Sequence, residues 1–321
     1  MGNYLKSPKI INIELTTRCS LRCPQCYKEI GLEKNTDFTW EQLQSLLREA
    51  SSLGVRKVLF SGGEPLLYPK IKTAIKLVKD LRMELYISTG GTKNLGIYDV
   101  LKKIDALYVS LNGSTKEINM KSRDGFELAF YTLRQAREKG VKTRINWVAR
   151  NDNVYDFPKL YYLANQMGVE AIDILKNKPN VSGIIESKLN YEDIVFLATF
   201  IKDADNERVK INIESCFFEL RNLCGIKVKN SILRGCSAGK YSMAVDANGK
   251  MLPCTHINGG EAICIKNSLI DFWNKNAVLD RMRKNISNHK LCSKCKYYEW
   301  CTPCPLDLEE ICVLKEAEKD V

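Results

Sequence analysis

Histidine is scarce: His256 and His289 are the only two in 321 residues. A zinc site that mixes cysteine with histidine therefore has few ligands to draw on. No uninterrupted apolar run approaches the roughly 20 residues that span a bilayer. The opening segment MGNYLKSPKIINIELTT lacks the apolar stretch and small-residue cleavage site of a secretory signal. Gly2 follows Met1, but Ser7 falls one position late for the myristoylation pattern. Internal repeats and low-complexity tracts are absent as well. These absences argue against a membrane-spanning or exported chain and predict a cytoplasmic one.

Cysteine, by contrast, is abundant. Cys19, Cys23 and Cys26 fall within eight residues, none follows until Cys216, and the chain holds 13 in all. The cytosol disfavours a disulfide framework, the number is odd and the spacings are tight. Metal ligation is the better reading, with buried free thiols as the alternative. The charge is +11, from 49 basic and 38 acidic residues. An excess of that size by itself suggests nucleic acid. The basic residues are scattered along helical stretches, however, and three iron–sulfur clusters on deprotonated thiols would carry roughly −5. Nucleic acid is left as a minor reading, together with a zinc-binding regulatory module.

From residue 9 to about 205, short apolar runs alternate with amphipathic helical patterns. IINIELT, KVLFSGG, ELYIST, ALYVSLNG, KTRINWVA and EAIDIL read as six strands, with helices between them. TWEQLQSLLREASSLG has Thr39 as N-cap, Gln42 as its capping-box partner and Gly54 near its end. Parallel β/α units with right-handed crossovers follow, an α/β class that places functional residues on loops at the C-terminal ends of the strands. The cysteine triplet sits on the first such loop. After the helix YEDIVFLATFIKDADN the texture changes to short strand pairs, with a DANGK hairpin turn between YSMAV and MLPC. The expected domains are 1–205 and 206–321, the second depending on metal as well as on core burial.

A Cys-x3-Cys-x2-Cys loop aims three thiolates at one cluster and leaves the fourth iron of a cube without a protein ligand. Placed after a first strand and followed by the aromatic Tyr27, it resembles the radical S-adenosylmethionine (radical SAM) superfamily. SGGEP, with Gly62, Gly63, Glu64 and Pro65, is similar to that family's glycine-rich motif, where the backbone meets the amino group of S-adenosylmethionine. SLNGSTKEINMKSRDG is similar to a segment of the peptide-modifying branch, in which Ser110 and Arg123 match positions that hold the methionine carboxylate and ribose. Asn112 stands where Asp is usual, and STGG where TNG is commoner. The resemblance implies a partial (β/α)6 barrel and a 4Fe–4S cluster on Cys19, Cys23 and Cys26. It also implies reductive cleavage of S-adenosylmethionine to a 5′-deoxyadenosyl radical that takes hydrogen from the substrate.

The later cysteines resemble the SPASM extension, a small cysteine-rich α+β domain that binds two auxiliary 4Fe–4S clusters. By position the resemblance assigns Cys236, Cys254 and Cys304 to the first auxiliary cluster, and Cys292, Cys295, Cys301 and Cys312 to the second. The run has two residues before Cys304 where the family has three. Cys224 is a candidate fourth ligand of the first cluster or a hydrogen-atom donor, the remaining alternative being a cluster that keeps an open iron for substrate. His256 is a candidate base, with a backbone-satisfied histidine as the alternative. Cys264, in the apolar run AICI, reads as core. Thr255 stands where sulfatase-maturing relatives carry an Asp base, which disfavours formylglycine formation.

The implied substrate is a ribosomally made precursor peptide, modified by a thioether or carbon–carbon crosslink or by epimerisation. The alternative is a small molecule, an aminoglycoside or a haem precursor. A reducing flavodoxin or ferredoxin is the implied electron donor. About eight residues precede the first strand, too few for a folded leader-binding domain. The expectation is therefore recognition through a separate small leader-binding protein, a leader-independent peptide or the C-terminal domain.

Overall fold

The computed structural model describes residues 4–28, 35–180, 184–204, 208–228, 230, 232–256, 263–264, 268–285 and 304. Its frame is one ten-stranded sheet. In chain order it begins with β1 (Ile10–Thr16), α1 (Trp40–Ser52), β2 (Lys57–Gly62), α2 (Ile71–Asp80) and β3 (Glu84–Thr89). There follow α3 (Tyr98–Leu101), β4 (Ala106–Ser110), α4 (Lys116–Met120), α5 (Phe126–Glu138) and β5 (Thr143–Ala149). Next come α6 (Phe157–Gln166), β6 (Ala171–Lys176), α7 (Tyr191–Asp203), β7 (Lys210–Ile213) and α8 (Phe218–Leu223). The last described elements are β8 (Ser242–Val245), β9 (Lys250–Leu252), β10 (Ile263–Cys264), α9 (Leu269–Lys275) and α10 (Ala277–Asn285).

Strands β1 to β7 lie side by side in sequence order and all run parallel. The sheet is an unclosed, partial parallel barrel, as expected. It holds more than the six strands anticipated. The four-residue β7 adds a seventh beyond residue 205, pairing Ala171–Ile174 with Lys210–Ile213. β8 pairs in parallel with β1, and β9 and β10 continue antiparallel from it. The cysteine-rich segment thus extends the barrel's own sheet. The hairpin read from DANGK is present, with Asp246 N donating to Lys250 O at 2.9 Å.

Alternation along the strands sets the two faces. Ile11, Ile13, Leu15, Val58, Phe60, Leu85, Ile87, Val109, Ile145, Trp147, Ile172 and Ile174 belong to one buried cluster with the apolar faces of the helices. The α1 helix starts as its sequence dictates: Thr39 Oγ1 accepts from Gln42 N, and Leu43, Leu46, Leu47 and Ala50 are buried. The opposite face of the sheet carries Asn12, Glu14, Ser61, Ser88, Tyr108, Ser110, Arg144, Asn146 and Asp173. A parallel sheet packed on both faces reads as near-continuous hydrophobic runs. This inner face is instead mixed, since Leu59, Val148 and Leu175 fall on it beside the hydroxyls, amides and ion pairs.

Among the described residues no helix is long and apolar enough to cross a membrane.

Candidate active site

The parallel strands bring their C-terminal ends to one rim, and the cysteine loop leaves β1 there. Its ends are zipped together: Thr17 N donates to Thr36 O at 2.9 Å, Phe38 N donates to Leu15 O at 2.9 Å, and Arg18 pairs with Asp37 at 2.8 Å. The loop then reaches across the mouth. Arg22 N donates to Asp124 Oδ2 at 3.1 Å, Gln25 N donates to Ser122 O at 3.2 Å, and the Gln25 side chain bonds Arg150 and Asn177. Cys19, Cys23 and Cys26 are all half-buried on it. Burial raises the Cys19 and Cys26 thiols above the usual cysteine range, while backbone amides and the Arg123 charge pull the other way.

The end of β2 is pressed against the root of this loop. Gly63 N donates to Thr16 O at 2.7 Å, and Glu64 N donates to Arg18 O at 2.6 Å. A Cβ on Gly63 would lie 2.3 Å from Arg18 O, and one on Gly62, whose φ is +129°, 2.4 Å from Thr16 O. Only glycine fits at such a close approach. Glu64 then turns inward. Its carboxylate accepts from Leu66 N at 3.1 Å, Thr89 Oγ1 at 2.8 Å and Gly90 N at 2.8 Å, which locks β2 to β3. Burial lifts its pKa to about 7 against those donors. Pro65 opens the short turn that follows, where the missing N–H costs nothing.

Arg123 approaches from the α4–α5 connection, close enough for its charge to act on Cys19, Cys26 and Glu64. Its Nε is buried with no hydrogen-bond partner. The connection is held by Asn112, which is 4% exposed. Asn112 Nδ2 donates to Ser122 Oγ at 2.8 Å, and its Oδ1 accepts from Val148 N at 3.0 Å. A neutral amide meets both needs, so the departure from Asp keeps the connection in place. Ser110 ends β4, buried, beside Asn146 on β5.

A second thiol group lies where the cysteine-rich segment meets the barrel. Cys216, Cys236 and Cys304 are within mutual hydrogen-bond reach, and Cys254 is close enough to Cys216 for their charges to interact. Bonds from Cys236 and Cys304 pull the Cys216 thiol well below the usual range and push Cys236 up. Among the described residues no group of three or more His, Cys, Asp or Glu has single-ion geometry.

Residues 13–164 match the Radical SAM superfamily, and residues 236–305 match an iron–sulfur cluster-binding domain, SPASM. The chain is a radical SAM enzyme with a SPASM domain. It is 22% identical to the AdoMet-dependent heme synthase of Methanosarcina barkeri, over 93% of this chain and 91% of that one. It is 24% identical to the PqqA peptide cyclase of Methylorubrum populi, over 92% of this chain and 79% of that one. Its fold is similar to Streptococcus suis SuiB bound to S-adenosylmethionine, with TM-score 0.82 and 21% identity over 96% of this chain and 76% of that one. SuiB has also been solved with the precursor peptide SuiA, at TM-score 0.80.

Both thiol groups of this radical SAM enzyme, being sulfur-rich, suit soft iron–sulfur chemistry. At the barrel mouth the orphaned Arg123 Nε leaves one unspent donor near the thiols, suited to an anionic group such as a carboxylate. The fold brings Cys216 to the second group, which sequence spacing did not suggest. Cys224 lies elsewhere, packed against the main hydrophobic cluster, where burial raises its thiol to about 11. Cys264 lies in β10. Cys292, Cys295, Cys301 and Cys312 lie outside the described residues. His256 packs against Tyr27 in a tilted arrangement with ring centroids 4.2 Å apart, and the Tyr27 side chain is hydrogen-bonded to Thr255. The aromatic after the third cysteine therefore touches the loop of Cys254. His256 Nδ1 is buried without a partner, and burial, reinforced by Lys178, keeps the imidazole neutral.

Proposed function

We propose that this enzyme modifies a ribosomally made peptide, by a crosslink or epimerisation that begins with hydrogen abstraction. The observation that carries the reading is the inner face of the sheet. Beside its ion pairs it carries neutral donors and acceptors. Ser61 Oγ donates to Asn12 Oδ1 at 2.6 Å, and Asn146 Nδ2 donates to Ser88 Oγ at 3.3 Å. Three cations at or near this face are already matched. Arg144 lies 3.4 Å from Asp173, Lys28 lies 3.0 Å from Glu14, and Lys178 lies 2.6 Å from Glu214. A peptide backbone, with alternating N–H and C=O, suits hydroxyls and amides. A tetrapyrrole with several carboxylates asks for free arginines and lysines.

In this reading Cys19, Cys23 and Cys26 hold the radical cluster. Gly62, Gly63 and Pro65 shape the backbone that meets S-adenosylmethionine. Ser110 and Arg123 take its carboxylate and ribose, with Arg123 Nε as a ready donor, and Glu64 braces the two strand ends around it. Cys216, Cys236, Cys254 and Cys304 hold one auxiliary cluster, and Cys292, Cys295, Cys301 and Cys312 a second. The bound cofactors supply a 5′-deoxyadenosyl radical. The chain orients the peptide toward it and excludes water. The domain boundary falls near residue 205, the electron arrives from a flavodoxin or ferredoxin, and thirteen thiols suit a reducing, cytoplasmic setting.

One observation favours a haem precursor instead. His256 is neutral and its Nδ1 has no partner, a state suited to binding porphyrin iron. Anaerobic mixing with iron coproporphyrin separates the two. The peptide reading expects no change in the porphyrin's visible spectrum. A shift that disappears in His256→Ala protein supports the haem reading.

A further inference from the structure

The four thiols of the auxiliary group lie on the chain after the barrel, yet a cation whose charge acts on two of them, Cys216 and Cys254, comes from the barrel. Lys178 follows β6, and its side chain is only 8% exposed. Its Nζ donates to both Glu214 oxygens, at 2.6 and 2.8 Å. Glu214 is itself anchored, since its N donates to Ile174 O at 2.9 Å and its carboxylate accepts from Lys176 N at 3.1 Å. Glu214 stands two residues before Cys216, so the ion pair is pinned beside the thiols. The Lys178 charge acts on both Cys216 and Cys254, and on Cys254 its attraction outweighs the repulsion from Glu214. Lys176, held by Glu219 at 2.8 Å, adds a second positive charge near Cys216.

A buried ion pair is weak evidence of stability, because desolvation offsets most of the attraction. Its place beside Cys216 and Cys254 needs another reason. We propose that Lys178 is the counter-charge of the auxiliary centre and sets its reduction potential from the barrel side. The inference rests on the reading of Cys216, Cys236, Cys254 and Cys304 as cluster ligands. Reduction adds one electron, delivered by an external low-potential donor, with no bond made or broken and no proton taken up. The added negative charge is cheaper beside a fixed cation that water does not screen. Lys178 therefore favours the reduced centre, and Glu214, of opposite sign, moderates it.

The test is an EPR-monitored redox titration of the full chain, reconstituted anaerobically with iron and sulfide. The relevant signal is the one missing from Cys236→Ala protein. Lys178→Gln should lower its midpoint by at least a tenfold change in the oxidised-to-reduced ratio, 59 mV for one electron. Glu214→Gln should move it the opposite way, with iron content unchanged. A purely structural ion pair predicts shifts of the same sign, or none, and either result overturns the proposal. Should Lys178→Gln fail to load iron, Glu214→Gln decides alone, because an unmoved or lowered midpoint is fatal. If no signal depends on Cys236, the four-thiol reading falls and takes this inference with it. A Cys236-dependent signal that ignores both charges removes only the inference.

Discussion

Replacing Glu64 by alanine should loosen the frame on which the cysteine loop rests. The carboxylate is 5% exposed and receives three donors, Leu66 N, Thr89 Oγ1 and Gly90 N. Truncation strands all three, and a buried unsatisfied donor costs about 1–3 kcal/mol. The expected loss is on the order of 3 kcal/mol even if water fills part of the gap. The pH dependence has a definite sign. Burial raises this carboxyl from 4.5 to about 7, so its contribution is complete below 4.5 and falls as pH rises through 7. At 1.36 kcal/mol per unit, the wild-type advantage should shrink by on the order of 1 kcal/mol between about pH 6 and about pH 8. Anaerobic urea unfolding of the cluster-loaded chain, followed by tryptophan fluorescence, reads both quantities. A penalty below about 1 kcal/mol, or one that grows with pH, refutes the reasoning.

Cys23→Ala should abolish 5′-deoxyadenosine formation with dithionite while auxiliary iron stays bound, and iron analysis alongside product chromatography checks both halves. Cys216→Ala should lose about four irons per chain, whereas Cys224→Ala should keep them; equal losses would return Cys224 to the ligand set. Gly63→Ala, whose Cβ would lie 2.3 Å from Arg18 O, should weaken S-adenosylmethionine binding at least tenfold, on the order of 1.4 kcal/mol, as measured by equilibrium dialysis.

What could be read from the chain was local. The strand ELYIST matches β3 residue for residue, and Thr39 caps α1, because periodicity and capping depend only on near neighbours. The cysteine loop was legible from its spacing. Long-range pairing was not. KINI is four residues long and carries no decisive pattern of its own; it becomes β7 because β6 offers an edge. β8 had the look of a hairpin in a separate domain, and only the fold shows it lying beside β1. The thiols teach the same lesson. Cys216 and Cys224 are both isolated in sequence, and the chain path alone brings the first to Cys236 and leaves the second against the main core. Glu64 carried a motif label, but its bonds to Thr89 and Gly90 join two strand ends and had no sequence signal.

The choice of substrate is tested most directly by one anaerobic incubation. The reconstituted enzyme, S-adenosylmethionine and dithionite are mixed with short peptides encoded beside its gene or, in parallel, with iron coproporphyrin, and products are read by mass spectrometry. The account predicts 5′-deoxyadenosine formed together with a peptide whose mass has fallen by two hydrogens, or is unchanged with one residue's configuration inverted. Unmodified peptides beside a consumed porphyrin would contradict it.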